Sequence, residues 1–265
     1  MFANYHTHTF RCGHATGSER EYIERAIENG ITKLGFSDHA PYAFSNGYVS
    51  SHRVPMEQVA DYFETISKLR DEYRDRIDIK IGFEMEYYPH YFKEMLETAV
   101  ELGAEYLILG QHYYSDERPE ITVYGSATDS VDVLRSYVSD VCAGMASGAF
   151  TYLAHPDYIR FTGDEDVFLS ELRKVCRASN EYGVPLEINF LGIRGRRHYP
   201  RQSFWRLAGE EGCEVVFGFD AHHARDAYDG ESLAVAEKMV KKYGLRLNED
   251  PKLVDPRVAF NKIST

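Results

Sequence analysis

Short apolar runs of strand length alternate with longer stretches of helical spacing along this chain. The runs start near Phe2, Lys33, Asp78, Glu105, Ala149, Val184 and Glu214. Between them, apolar residues recur every three or four positions, which places them on one face of a helix. The first such stretch opens on Ser18 and Glu21, a capping-box pair, carries Tyr22, Ile23, Ala26 and Ile27, and stops at Gly30. A second follows Pro55 with Val59, Tyr62, Phe63, Ile66 and Leu69. A third holds Phe92, Met95, Leu96, Ala99 and Val100 before Gly103. Further helices are predicted over 131–145, 167–182, 204–208 and 233–243. Strict strand–helix alternation implies parallel strands joined by right-handed crossovers. The reading is an α/β fold, one barrel of seven strands, with residues 1–265 as a single domain. An open doubly wound sheet is the alternative. Residues 40–54 form the longest irregular piece and a candidate lid, and the tail after Asn248 is expected to be irregular.

The ends of these runs carry the chemistry. His6 and His8 follow the first run, His39 the second, Glu84 the third, His112 the fourth and His155 the fifth, while Asp220 and His222 follow the last. With His14 they make nine metal-type ligands. Residues two apart on a strand point the same way, so His6/His8 and Asp220/His222 each present a pair. Ligands capping successive strands of a parallel barrel share one pit, the C-terminal mouth. A closed barrel gathers them better than an open sheet. A lone histidine is ordinarily a surface or satisfied core residue, and His52 and His90 are read that way.

Tyr5-His6-Thr7-His8, His14, Ser37-Asp38-His39, Glu84, Gly110-Gln111-His112, Ala154-His155-Pro156 and Asp220-Ala221-His222 together resemble the polymerase-and-histidinol-phosphatase (PHP) superfamily. Phe10-Arg11-Cys12-Gly13-His14 is most similar to its stand-alone histidinol-phosphatase branch. The resemblance implies a distorted (β/α)7 TIM-like barrel with its metal site at the C-terminal mouth. It also implies two to three divalent transition metals (Zn, Mn or Fe). His6, His8, Glu84 and Asp220 would hold one metal; Glu84, bridging, with His112 and His155 a second; His14, His39 and His222 a third. One carboxylate has two oxygens and can bridge two cations, and mixed N/O ligation suits Zn, Mn or Fe over Mg or Ca. The implied activity is a metal-dependent phosphomonoesterase with Glu84, Asp220 and His222 at the catalytic centre. L-Histidinol phosphate is the favoured substrate, as in histidine biosynthesis. Another small phosphate ester, such as a nucleotide or sugar phosphate, or a non-catalytic metal-binding module, are the alternatives.

Phosphate needs cationic partners. Arg160 follows the fifth run, and Arg194, Arg196 and Arg197 follow the sixth. Arginine suits phosphate because its planar fork donates two parallel hydrogen bonds. Arg160, Arg194 and Arg197 are the substrate-binding candidates, and Arg196 is read as solvated. Asp38 is expected to orient a liganding histidine. Glu86 would share a face with Glu84 and meet the substrate amine, Tyr42, Phe44 and Tyr48 would stack on its ring, and Cys12, His198 and His223 are further candidates.

Composition narrows the partners. Formal charge is −12, which argues against a broad nucleic-acid or anionic-membrane surface and leaves a small phosphorylated metabolite. No run of 18 apolar residues is present. Met1-Phe2-Ala3-Asn4 lacks the basic start of a secretory leader, and the four cysteines show no CxxC pairing. A reducing cytoplasmic setting is the expectation.

Overall fold

The computed structural model describes residues 3–42, 44, 47–114 and 123–263; Phe2, near which the first run was placed, lies outside them. Strands β1 (Ala3–Asn4), β2 (Lys33–His39), β3 (Asp78–Met85) and β4 (Tyr106–Leu109) pair in sequence order, all parallel. Strands β5 (Leu186–Asn189) and β6 (Glu214–Gly218) form a second parallel pair. The run near Ala149 makes no ladder. Leu153 alone bridges Leu109 on one side and Leu186 on the other. The circle closes where Thr7 pairs parallel with Ala221, and the His8 amide donates to the Ala221 carbonyl at 3.0 Å. Seven staves therefore surround one axis, three of the contacts being single bridges, so the barrel is distorted.

The lumen is filled. Tyr5, Tyr106, Ile108, Tyr152, Ala154 and Val216 form a buried cluster of their own, and the Tyr106 hydroxyl donates to the Tyr5 carbonyl at 2.9 Å. This plug gives the C-terminal mouth a floor. The outer strand faces pack on helices α1 (Glu19–Glu28), α2 (Val59–Tyr73), α3 (Phe92–Glu101), α4 (Val131–Ala146) and α5 (Glu165–Tyr182). The Ser18/Glu21 capping box at the start of α1 is formed. α5 begins ahead of the predicted 167 because the Asp164 side chain accepts from the Val167 amide, and Gly183 ends it in a left-handed cap.

The C-terminal third departs most from the expectation. A short helix, α6 (Phe190–Arg194), follows β5 at once, with Asn189 accepting from the Gly192 amide. α7 (Gln202–Glu210) and α8 (Gly230–Tyr243) are longer than the apolar spacing suggested, since their polar first turns carry no periodic signal. The tail is ordered: β7 (Arg246–Leu247) adds to the start of β6, and α9 (Pro256–Ile263) follows. Asp255-Pro256 is a helix-start signal, a carboxylate that accepts from the Arg257 amide at 3.0 Å followed by proline at the first helical position. None of the helices among the described residues is long and apolar enough to cross a membrane.

Candidate metal centre

All nine metal-type side chains converge at the mouth, above the plug. His6 Nε2 lies 3.5 Å from Glu84 Oε2 and 3.7 Å from Asp220 Oδ1, and His8 Nε2 lies 3.5 Å and 3.3 Å from the same two oxygens. A tetrahedral centre with bonds of about 2.0–2.2 Å has edges of about 3.3–3.6 Å, and these four histidine–carboxylate distances fall at or close to that length. His6 Nε2, His8 Nε2 and Asp220 Oδ1 are buried without hydrogen-bond partners. Buried polar atoms aimed at one another with no proton between them are costly unless a cation fills the gap. The residues present therefore fit a divalent metal.

The other Glu84 oxygen serves a second cluster. Glu84 Oε1 is 2.9 Å from His155 Nε2 and 3.5 Å from His112 Nε2. Glu84 can reach in two directions because Gly110 faces it: a Cβ there would come within 2.0 Å of Glu84 Oε1. At the solvent side, nitrogens of His14, His39 and His222 gather as a third group, with His14 Nε2 3.0 Å from His222 Nε2. His39 Nδ1 also lies 3.1 Å from Glu84 Oε2. His155 and Asp220 both hold left-handed backbone, φ 31° and 47°, which non-glycine residues adopt only when the surroundings over-determine them.

Protonation states suit ligation. Burial alone would raise the Glu84 carboxyl, but His112, His39 and His6 around it hold it well below the usual carboxylate range. Burial also opposes ionisation of Asp220, and His6, His222 and His8 outweigh it. Burial and the neighbouring His222 lower His14 to about 4, and burial holds His39 far down as well, which leaves their lone pairs free. Around His6, burial lowers basicity while Glu187, Asp220 and Glu84 raise it further, a demand for positive charge at that spot.

A supporting layer fixes the ligands. Asp38 Oδ1 is 3.4 Å from His8 Nδ1, and Asp38 Oδ2 accepts from the Thr9 amide at 3.0 Å. Glu187 Oε1 meets His6 Nδ1 at 2.7 Å, and its other oxygen accepts from the His155 amide at 3.0 Å and from Asn189 Nδ2 at 2.8 Å. Asn189 Nδ2 also donates to Asp220 Oδ2 at 3.0 Å. Strand β5 thus adds none of the nine donors but braces three residues that do. Gly218 makes the space, since a Cβ there would lie 1.7 Å from Glu187 Oε1. The sequence reading missed Glu187 and Asn189, although their two-residue spacing on a strand was the signal used for His6 and His8.

Glu86 shares the face of Glu84 but is spent elsewhere. It meets His112 Nδ1 at 2.8 Å and accepts from the buried Arg53 at 2.5 Å, so it positions a ligand and is not an open partner for an amine. Arg53 also donates to the Ala40 carbonyl, tying the 40–54 segment to the mouth; residues 43, 45 and 46 of that segment lie outside the described residues. Tyr42 and Phe44 stack on each other and against Tyr91, turned away from the cavity, and Phe44 meets Tyr48 at 5.7 Å. Their expected stacking on a substrate ring is corrected to loop packing. Cys12 is buried beside His8 and His222 with its Sγ 3.9 Å from His14 Nε2; it donates to the Thr9 carbonyl, and burial pushes its thiol up, which disfavours a thiolate ligand.

The cavity over the metal cluster measures about 440 Å3. Arg197 lines it with Tyr158, whose ring packs 5.1 Å from those of His112 and His155, and with Tyr199, whose ring packs 6.0 Å from that of His155; His52, His223 and Asp226 also line it. Burial pushes the Tyr158 phenol up to about 12, so it remains a neutral donor. Arg194 and Arg160 are placed differently from the expectation. Arg194 donates to the Phe219 and Asp220 carbonyls, both at 2.6 Å, and clamps the end of β6 from behind. Arg160 is exposed and is not among the cavity's lining residues. His198 meets the Tyr158 carbonyl, and His223 meets Thr16 Oγ1 at 2.7 Å.

Residues 4–190 match the family model described as PHP domain. A relative named probable histidinol-phosphatase from Deinococcus radiodurans is 29% identical over 249 residues, covering 91% of this chain and 93% of its own length. Histidinol-phosphatase of Bacillus subtilis is 25% identical, covering 83% of this chain and 93% of its own length. Among solved structures, histidinol phosphate phosphatase from Lactococcus lactis in complex with zinc, L-histidinol and phosphate superposes with a TM-score of 0.73. That alignment covers 96% of this chain and 97% of the other at 21% identity, a likeness of fold.

Proposed function

This chain belongs to the PHP domain family, and on that footing we propose that it is a metal-dependent phosphomonoesterase that hydrolyses L-histidinol phosphate to L-histidinol and phosphate. The observation that carries the reading is the centring of three donor groups on the two oxygens of Glu84 and on Asp220, in a cavity that one arginine also lines. His6, His8, Glu84 and Asp220 would hold one cation, Glu84, His112 and His155 a second, and His14, His39 and His222 a third, with Zn, Mn or Fe as the metals these donors suit. Divalent cations at this centre would supply Lewis acidity toward phosphate oxygens and acidify water.

The chain's own residues do the rest. Arg197 offers its fork to the phosphate from the cavity wall it shares with Tyr158 and Tyr199. Tyr158 and Tyr199 shape that wall and exclude water. Asn189 and Arg194 fix Asp220, one at its carboxylate and the other at its backbone carbonyl, so that this ligand keeps its place at the mouth. Asp226 also lines the cavity but pairs with Arg194 at 3.5 Å and Arg225 at 3.7 Å, so like Glu86 it is not an open partner for the substrate amine. No serine, cysteine or aspartate nucleophile is required, so phosphate leaves without a covalent phospho-enzyme.

A steady-state comparison tests the substrate. Histidinol phosphate is expected to give kcat/KM at least ~10-fold above nucleotides, sugar phosphates and p-nitrophenyl phosphate, about 1.4 kcal/mol of transition-state binding. A sugar phosphate or nucleotide in first place would keep the phosphatase reading and sink the histidinol assignment. Turnover of no phosphomonoester with Zn, Mn or Fe supplied would favour a metal-binding module.

The arginines separate in kinetics. Arg197→Ala is expected to lower kcat/KM about 10- to 100-fold with metal content intact, the worth of one charge-assisted contact. Arg194→Ala is expected to act through metal retention, because its contacts are the carbonyls at Phe219 and Asp220. Arg160→Ala is expected to be nearly silent. Elemental analysis beside the kinetics decides it; an Arg197→Ala enzyme with wild-type efficiency would remove that residue from the site.

A further inference from the structure

A second cavity, about 330 Å3, lies between the α6–α7 segment and α8. Its lining gathers Arg196, Arg197, Lys238 and Lys242 and, among the described residues, no carboxylate. On a chain of net charge −12 this is a local reversal of sign. The apolar part is equally ordered. Val235, Lys238, Met239 and Lys242 recur at three- and four-residue spacing on α8, so one helix face presents apolar and basic side chains together. Val235 is 43% exposed at this face. Lys242 lies 4.8 Å over the ring of Tyr243. Arg196 holds left-handed backbone, φ 47°, at the turn that brings it and Arg197 to the rim.

We propose that this groove binds a small amphipathic anion. Its apolar or aromatic body lies on Val235, Met239 and Tyr243, and its phosphate, sulfonate or carboxylate lies among Arg196, Lys238 and Lys242. The volume is in the range of small-molecule sites, and the charge pattern selects an anionic head. The groove also borders the catalytic cavity. Arg197 and Tyr199 line both, and Arg197 Nη1 donates to the Tyr199 hydroxyl at 3.1 Å. An anion in the groove competes for Arg197, so occupancy raises KM for the phosphate ester and leaves kcat in place. This coupling rests on the role given to Arg197 above; the binding itself does not.

The test uses the metal-loaded full chain and 1-anilinonaphthalene-8-sulfonate as probe, with its uncharged parent N-phenyl-1-naphthylamine as control. Fluorescence titration without substrate is expected to show saturable binding of the sulfonate, weakened about 10-fold or more in Lys238→Glu/Lys242→Glu, a change of about 1.4 kcal/mol. The uncharged parent is expected to bind weakly and indifferently to the substitutions. With substrate present, the sulfonate is expected to raise KM in the wild type and not in the double variant, whose basal kcat and metal content stay normal. Equal sulfonate binding by wild type and variant, or equally tight binding of the uncharged parent, would overturn the site. An unchanged KM at saturating probe would overturn the coupling. Sedimentation velocity showing a dimer that the double variant abolishes would assign the face to a second copy instead. Because binding is read without turnover, its failure is distinct from failure of the phosphatase reading.

Discussion

Glu84→Gln is expected to bring bound metal from about three equivalents to about one, and kcat/KM down on the order of 1,000-fold or more. Among the described residues, this carboxylate is the group that faces both His6/His8 and His112/His155, one oxygen toward each pair. An amide keeps the size and the clearance from Gly110 but offers one oxygen and no charge. Two of the three clusters are weakened together, while His14, His39 and His222 keep a site of their own. His90→Ala, on an exposed residue, is the matched control and should leave metal unchanged. Elemental analysis and circular dichroism decide the matter. A well-folded Glu84→Gln protein with full metal content would end the bridging assignment.

Chelation is the second large effect. Dialysis against a strong chelator is expected to abolish turnover and to lower the melting temperature. Anything that binds only the folded state stabilises it by RT ln(1 + [L]/Kd), about 4 kcal/mol at a free concentration 1,000 times Kd. For a chain of this size that is a shift on the order of 10 °C. The sign is fixed by the structure. Without cations, Glu84 and Asp220 face the buried His6 and His8, whose Nε2 atoms have no hydrogen-bond partner among the described residues. Readdition of Zn, Mn or Fe should restore both melting temperature and activity. A stripped protein that still turns over phosphate ester would sink the metal mechanism.

Much of this was legible because parallel strands buried on both faces read as continuous apolar runs. The order of strands and the gathering of ligands at one mouth followed from that. The two-residue spacing of His6/His8 and Asp220/His222 carried the rest. What escaped had short or indirect signals. β7 is two residues long, and α9 announced itself only through Asp255-Pro256. Glu187 and Asn189 were passed over because their strand carries no histidine, although brace and ligand use the same geometry. The arginines could not be sorted by sequence. α6 turns Arg194 back onto the Phe219 and Asp220 carbonyls and leaves Arg197 toward the cavity, and a five-residue helix has too little periodicity to foretell it. Tyr42 and Phe44 read as available rings, yet pairwise packing with Tyr91 depends on where Tyr91 sits, which spacing does not encode.

The single bridge between Thr7 and Ala221 also governs the order in which the molecule can be finished during synthesis. The chain leaves the ribosome from its N-terminus, so His6, His8, Glu84, His112 and His155 emerge long before Asp220 and His222. Until the last-made of these donors arrives, the barrel has an open seam and a cation meets an incomplete coordination sphere. Metal capture at the first and third sites and ring closure therefore belong to one late event, and a chain broken off before β6 keeps Glu84, His112 and His155 but lacks Asp220 and His222. The stretch that shuts the seam is the stretch that completes those two sites, so neither is finished while the ring is open.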